Sequence, residues 1–172
     1  NSIVLGHVGS FKPVKNQIFL VHVLSNLLKR NNKYRLVFIG DGDTINDVKR
    51  EALRLNCGNN ILFLGSVSNV SDYLNIFDAY VMPSLHEGLG ISAIEAETNG
   101  LPCFLSTGFP SEVNISNVHF IDLNEGATKW ANAISSSMLL RVGDAVDLIR
   151  KSGYDIKDVC SNLKNFYVNC VK

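Results

Sequence analysis

The chain has 172 residues, 46% of them hydrophobic and 19% charged, and its 16 basic and 16 acidic side chains cancel to zero formal charge. That much apolar material builds one domain-sized core and excludes a disordered chain. The balanced charge excludes the basic excess of a nucleic-acid binder, so an anionic ligand needs a local site.

Ile3 to Val8 is a short apolar run closed by Gly9 and reads as a first buried strand. From Asn16 to Lys29, apolar residues including Ile18, Val21, Leu24 and Leu28 recur at helical spacing. Arg35 to Ile39 is a second strand, closed by Gly40-Asp41-Gly42, which reads either as a tight turn or as a ligand loop. Thr44 stands as the N-cap of a helix through Leu55, with Gly58 as its stop. Asn60 to Leu64 is a third strand, ending at Gly65. Val70 to Ile76 is a short helix, and Ala79 to Met82 a fourth strand that ends at Pro83-Ser84. Leu89 to Asn99 reads as a helix led in by Gly88 and ended by Gly100. Pro102 to Ser106 and Val118 to Leu123 are the fifth and sixth strands. Ala127 to Leu139 and Ala145 to Lys151 are helical, and Asp155 to Val171 is a final amphipathic helix with Val159, Leu163, Phe166, Tyr167 and Cys170 on one side.

Short apolar strands alternating with helices predict an α/β fold: a Rossmann-like, doubly wound parallel sheet of about six strands with helices on both faces, in one domain spanning 1–172. Ligands of such sheets lie beyond the C-terminal strand ends. Gly9-Ser10, Gly40-Asp41-Gly42, Gly65-Ser66, the segment Ser84 to Gly90 and Ser106 to Gly108 all collect there. Cys57, Cys103, Cys160 and Cys170 form no C-x-x-C pair and are expected to be free thiols of a reducing compartment, with Cys103 in the core. No apolar run has the length to cross a bilayer, and no signal-peptide pattern opens the chain. The chain begins at Asn1 rather than Met and runs into a strand at once, which predicts a piece of a longer protein.

The segment that carries chemistry is Pro83-Ser84-Leu85-His86-Glu87-Gly88-Leu89-Gly90-Ile91-Ser92-Ala93-Ile94-Glu95-Ala96. A strand ends, a Gly-rich turn follows and a helix begins, so exposed N–H groups and the helix dipole make an anion site that suits a diphosphate. Gly88 and Gly90 let the backbone approach a ligand closely. Glu87 and Glu95 bracket the turn, and a carboxylate accepts from two neighbouring hydroxyls of a ribose or hexose. Taken alone, Glu87 reads as a solvated loop acid and Glu95 as a local helix pair; the turn between them argues for more. Lys15, shortly after the first strand, could reach phosphate oxygens as a compact charge or stay an ordinary surface lysine. His86 reads as an exposed loop histidine and His7 as a packed one. The first strand is followed by Gly9-Ser10-Phe11-Lys12-Pro13-Val14 rather than G-x-G-x-x-G, which argues against a dinucleotide oxidoreductase.

With Glu87 and Glu95 separated by seven residues inside S-x-x-E-G-x-G-x-x-x-x-E-A, followed by Gly100-Leu101-Pro102, the sequence resembles the donor-binding domain of retaining GT-B glycosyltransferases. Within them it is similar to the bacterial "group 1" family of capsular and exopolysaccharide enzymes. His7-Val8-Gly9, Lys15-Asn16, Val37 to Gly42, Phe63-Leu64-Gly65 and Gly153-Tyr154-Asp155-Ile156 extend the resemblance over nearly the whole chain.

The resemblance implies one half of a GT-B fold, with a separate N-terminal domain holding a glycan or lipid-linked acceptor. The donor is a nucleotide-diphosphate sugar, UDP by preference, transferred with retention and without a metal or other cofactor. Glu95 would bind the ribose, Glu87 the transferred sugar, and the backbone of Gly88, Leu89, Gly90 and Ile91 the diphosphate. The segment from Gly65 and Ser66 to Ser68 would lie beside the base, and Gly9, Ser10, Lys15 and Gly40 would complete the donor site. Glu87 and Lys15 would take the catalytic roles. Ser10 stands where the family usually has Arg, which removes a bidentate phosphate donor; Lys12 is the candidate to compensate. The implied location is cytoplasmic, peripheral at the inner face of the plasma membrane. A non-catalytic nucleotide-sugar-binding module of the same fold is the alternative.

Overall fold

A computed structural model describes residues 2–170. Six parallel strands, β1 (Ile3–Val8), β2 (Tyr34–Ile39), β3 (Ile61–Phe63), β4 (Ala79–Met82), β5 (Cys103–Ser106) and β6 (Val118–Ile121), form one sheet in the order β3-β2-β1-β4-β5-β6. Seven helices lie among them: α1 (Gln17–Leu28), α2 (Ile45–Arg54), α3 (Val70–Leu74), α4 (Ile91–Thr98), α5 (Gly126–Ser136), α6 (Ala145–Lys151) and α7 (Ile156–Cys170). This is the Rossmann-like doubly wound layer that the alternation predicts.

Residues alternate between the two faces of each strand. Ala79 and Val81 of β4 join Leu5, Leu36, Phe38 and Phe104 under α1, α2 and α5. Tyr80 and Met82 join Val37, Ile39, Cys103 and Leu105 under α4 and α6. Cys103 is fully buried, as its apolar run predicts. Gly6 interrupts the otherwise bulky β1 for a packing reason. A Cβ there would stand 1.9 Å from the ring of Phe77, which fills the space.

Several boundaries differ from expectation. α2 is stopped by Asn56, which takes the left-handed conformation at φ 54°, while Gly58 opens a short 3-10 turn. Thr44 precedes α2 without a side-chain capping bond. The helix expected from Leu89 begins at Ile91, because Gly90 rather than Gly88 takes the left-handed turn. α5 ends at Ser136, three residues short of Leu139.

The last helix is amphipathic as predicted, but no residue of α7 is buried in this chain, and Val159, Leu163, Phe166 and Tyr167 all stand exposed. The Val171 end of its expected range lies outside the described residues.

Gly6→Ala is expected to destabilise the chain by about 1–3 kcal/mol, as overpacked cores do. The measurement is the urea midpoint at an unchanged m-value, and a midpoint equal to wild type would contradict the packing account.

Candidate functional site

The strand order turns back between β1 and β4, where crossovers run off in opposite directions and leave a crevice at the C-terminal edge. Two turns meet across it. After β1, a short 3-10 turn Pro13–Lys15 ends at Asn16, which is left-handed at φ 53°, and this presents Lys15. After β4, the Pro83–Gly88 loop presents Glu87. Lys15 Nζ donates to Glu87 Oε1 at 2.6 Å, with side-chain exposures of only 20% and 9%. The loops are stitched beside the pair: the Leu85 amide donates to the Val14 carbonyl at 2.8 Å, and Asn16 Nδ2 to the Pro83 carbonyl at 3.2 Å.

Glu87 is further fixed by a closed ring of bonds. The buried Ser84 hydroxyl donates to Glu87 Oε1 at 2.6 Å. The Glu87 amide donates to the Gly108 carbonyl, the Gly108 amide to Ser106 Oγ, and Ser106 Oγ to the Ser84 carbonyl. Oε1 thus accepts two charge- or hydroxyl-borne bonds, while Oε2 accepts none from the described residues. Ser84 opens the S-x-x-E motif, and Ser106 is marked in the sequence only by its place at the end of an apolar strand.

Next to Glu87, the peptide N–H groups of Gly88, Leu89, Gly90, Ile91 and Ser92 donate to no group among the described residues. Five consecutive open donors at the N-terminus of α4 make an anion cradle whose helix dipole adds to the attraction. Gly90 sets its shape. Its φ of +76° disfavours other residues, and a Cβ there would fall 2.3 Å from the Phe109 ring. Tyr80 anchors the helix from below, its Oη 2.9 Å from Ser92 Oγ and 3.2 Å from the Val8 carbonyl oxygen. Burial pushes that hydroxyl's pKa up, so it stays a neutral bonding group.

Glu95 lies one helical turn on, exposed and without a hydrogen bond or ion pair among the described residues. It stands on the rim shared by two cavities. One, of about 600 Å³, carries Ser68, Ser71, Thr98 and Asn99 beside Val70, Leu74 and Val146. The other, of about 530 Å³, is lined mainly by apolar groups such as Leu89, Ile91, Ile94 and Ile149. Of the β3 turn, Ser68 reaches the first cavity; Gly65 and Ser66 are not among its walls. Gly40 packs its Cα against the Gly9 carbonyl, where a Cβ would fall at 2.1 Å, so its part is to bring two turns together. Lys12 lines a separate groove with Thr44 and Val48.

The Gly9-Ser10 turn is held from inside the fold. His7 is fully buried, and its Nδ1 lies 3.0 Å from the Val81 carbonyl, which fixes that nitrogen as the donor. Nε2 then accepts from Gln17 Nε2 at 3.3 Å, and the same amide donates to the Ser10 carbonyl at 2.9 Å. Burial pushes the His7 pKa down to about 4, so the ring remains neutral. With its carbonyl drawn inward, Ser10 keeps an amide N–H that donates to no described group. Gln17 was not foreseen, although a lone polar residue among apolar helix positions marks it. His86 is exposed, and His119 stacks on Phe104. Glu112, in a 3-10 turn after β5, is exposed.

Among the described residues no group of three or more His, Cys, Asp or Glu side chains gathers as a metal site. No described helix is long and apolar enough to cross a membrane.

With this geometry in place, the family model described as glycosyl transferases group 1 matches residues 1–151. The chain belongs to the group 1 glycosyl transferases. It is 31% identical over 170 residues to the putative glycosyltransferase EpsF of Bacillus subtilis, covering 96% of this chain and 44% of that one. It is 28% identical to an Escherichia coli UDP-Gal:alpha-D-GlcNAc-diphosphoundecaprenol alpha-1,3-galactosyltransferase, covering 99% of this chain and 46% of the relative. The glycosyl transferase chain therefore spans about half the length of these relatives. Its fold matches Anabaena HepE, solved with UDP and glucose, at a TM-score of 0.82 and 16% identity over 98% of this chain and 48% of that one. It also matches the C-terminal domain of the group 1 protein LpcC of Francisella tularensis, at a TM-score of 0.71 and 19% identity over 90% of this chain and 87% of that one.

One further acid of α4 faces inward. Glu97 is fully buried; its Oε2 accepts from the Ile115 amide, the Ser116 amide and Ser116 Oγ, while Oε1 has no partner among the described residues. Burial raises its pKa, partly opposed by those bonds. The folded state thus holds the proton more tightly than the unfolded one, and stability falls as pH rises from the ordinary carboxylate range through the raised value. Glu97→Gln has no such titration. Its melting temperature relative to wild type is expected to rise between pH 4.5 and pH 7.5; a constant difference would contradict the reading.

Proposed function

We propose that this chain is the donor-binding half of a glycosyltransferase that takes a nucleotide-diphosphate sugar, UDP-linked by preference. The observation that carries this is the run of five open amides between two acids at the sheet switch, one acid tied to a lysine and the other free. A diphosphate on the Gly88–Ser92 amides puts its flanking sugars within reach of Glu87 and Glu95. Glu95, with both oxygens open, suits the vicinal hydroxyls of ribose. The cavity beside it, which carries Ser68, Ser71 and Asn99, suits the base.

In transfer, the bond between the anomeric carbon and the diphosphate oxygen breaks, and its electron pair stays on that oxygen. The acceptor hydroxyl oxygen bonds to the anomeric carbon on the same face and gives up its proton to the departing diphosphate oxygen. Lys15 and the open amides stabilise the charge that grows on the leaving diphosphate, where positioned donors lower a barrier most. Neither half-reaction calls for a metal or other cofactor. The glycan or lipid-linked acceptor, and the groups that position it, belong to an N-terminal domain outside the 172 residues, and we place the whole enzyme at the cytoplasmic face of the plasma membrane. The homology to EpsF and to a diphosphoundecaprenol-directed galactosyltransferase supports that assignment.

Calorimetric titration with nucleotide sugars tests the donor site. The chain is expected to bind one of them, and Glu95→Ala to weaken that binding by roughly 10- to 100-fold, the loss of one or two charge-assisted bonds. No binding by the folded chain across UDP, GDP and ADP sugars would overturn the proposal. In the full-length enzyme, Lys15→Ala is expected to lower kcat by about 10²–10³-fold, as removal of a leaving-group donor does. The isolated 172 residues are expected to transfer essentially nothing; robust transfer would contradict the division into halves.

A further inference from the structure

The crevice holds a cation and an anion already bonded to each other. Lys15 Nζ and Ser84 Oγ both lie 2.6 Å from Glu87 Oε1, and both ionised side chains are largely withdrawn from water. An incoming diphosphate on the adjoining amides therefore meets an ammonium whose charge is committed, and a carboxylate that repels it. Coulomb interactions at this depth are screened far less than at an open surface.

From this arrangement, and resting on the donor-site reading above, we infer that the Lys15–Glu87 pair is a displaceable counter-ion that makes the site discriminate between a nucleotide sugar and the bare nucleoside diphosphate. The bare diphosphate has to draw Lys15 away and leaves Glu87 without its counter-ion beside a second anion. A nucleotide sugar carries one charge fewer on its diphosphate. It also brings a hydroxyl that donates to Glu87 as Lys15 turns to the phosphates. The sugar hydroxyl takes over from the ammonium, so the carboxylate keeps a second donor beside Ser84. After transfer, the departing sugar removes that donor, Glu87 reclaims Lys15, and the product diphosphate is loosened.

Ser84 sharpens the exchange. Its hydroxyl and the closed ring through Ser106 hold Glu87 by Oε1 and leave Oε2 as the open acceptor. Glu87 is therefore fixed in place while its ammonium partner, on a flexible four-carbon stem, is the member that moves.

The test is titration of the wild-type chain, Glu87→Gln and Ser84→Ala with UDP and UDP-glucose, and in parallel with GDP and GDP-mannose and with ADP and ADP-glucose. Circular dichroism and melting temperature confirm that each variant is folded. Glu87→Gln is expected to bind the nucleoside diphosphate roughly three- to tenfold more tightly than wild type, because a partly buried like charge is removed and Lys15 is released. Its preference for the sugar-bearing ligand is expected to fall by at least the same factor. Ser84→Ala loosens the carboxylate but keeps the charge, so it is expected to weaken the nucleotide sugar without tightening the diphosphate. A merely structural role for Glu87 would weaken both ligands together, and that result, or unchanged diphosphate affinity, overturns the inference while leaving the donor site standing. Equal tightening in Ser84→Ala also overturns it, since the cause would be loop mobility rather than charge. Wild type binding no member of any pair would remove the donor-site reading and this inference with it.

Discussion

The ion pair between Lys15 and Glu87 depends on everything else in the fold being in register. Its members are 72 residues apart and come from turns on opposite sides of the sheet's reversal. Exposed pairs of this kind are worth little, since water and salt screen them and side-chain entropy opposes them. This one is sheltered because the two turns are sewn together by main-chain and Asn16 bonds before the side chains meet. The crevice is thus a property of two backbone turns, and the charges occupy a position that the backbone has already fixed.

Much of this was legible in the sequence. Buried strands announce themselves as apolar runs, and β1 and β4 fall where the runs do. The Gly-rich turn with its two acids marked the site, because few other patterns place open amides at a helix start. What local pattern could not supply was partnership. Nothing near Glu87 names Lys15, and nothing near Ser84 names Ser106, since both relations are made by parallel pairing across the sheet. The start of α4 shifted for the same reason. The left-handed turn falls at Gly90, where the ring of Phe109 from another loop leaves no room for a side chain. At the end of α2, Asn56 took a conformation that glycine was expected to take, a substitution that the asparagine side chain tolerates.

Two acids on one short helix show how far the surroundings decide a residue's chemistry. Glu95 and Glu97 are two positions apart and so point in nearly opposite directions. One faces solvent beside two cavities and keeps its bonding capacity for a ligand. The other is sealed under the sheet, with one oxygen saturated by the Ile115–Ser116 backbone and one unanswered among the described residues. Arg141 supplies the counterpart at the opposite end, where its guanidinium collects the Leu74, Phe77 and Asn99 carbonyls and closes the C-termini of α3 and α4. His7 and Gln17 perform the same service under Ser10. In each case a polar side chain is kept because it ties down main-chain groups that the helices and strands leave open.

The uncovered state of α7 has a consequence for how this chain unfolds. With none of its side chains buried, the helix gains little from packing on the rest of the chain, and fifteen residues are close to the shortest length at which a helix persists by propensity alone. Its amides should therefore exchange with solvent hydrogen on the timescale of local fraying, while those of β1, β2 and β4 wait for global opening. In this chain by itself, the C-terminal segment is thermodynamically a passenger: it melts on its own schedule, and its loss leaves the cooperative unit whole.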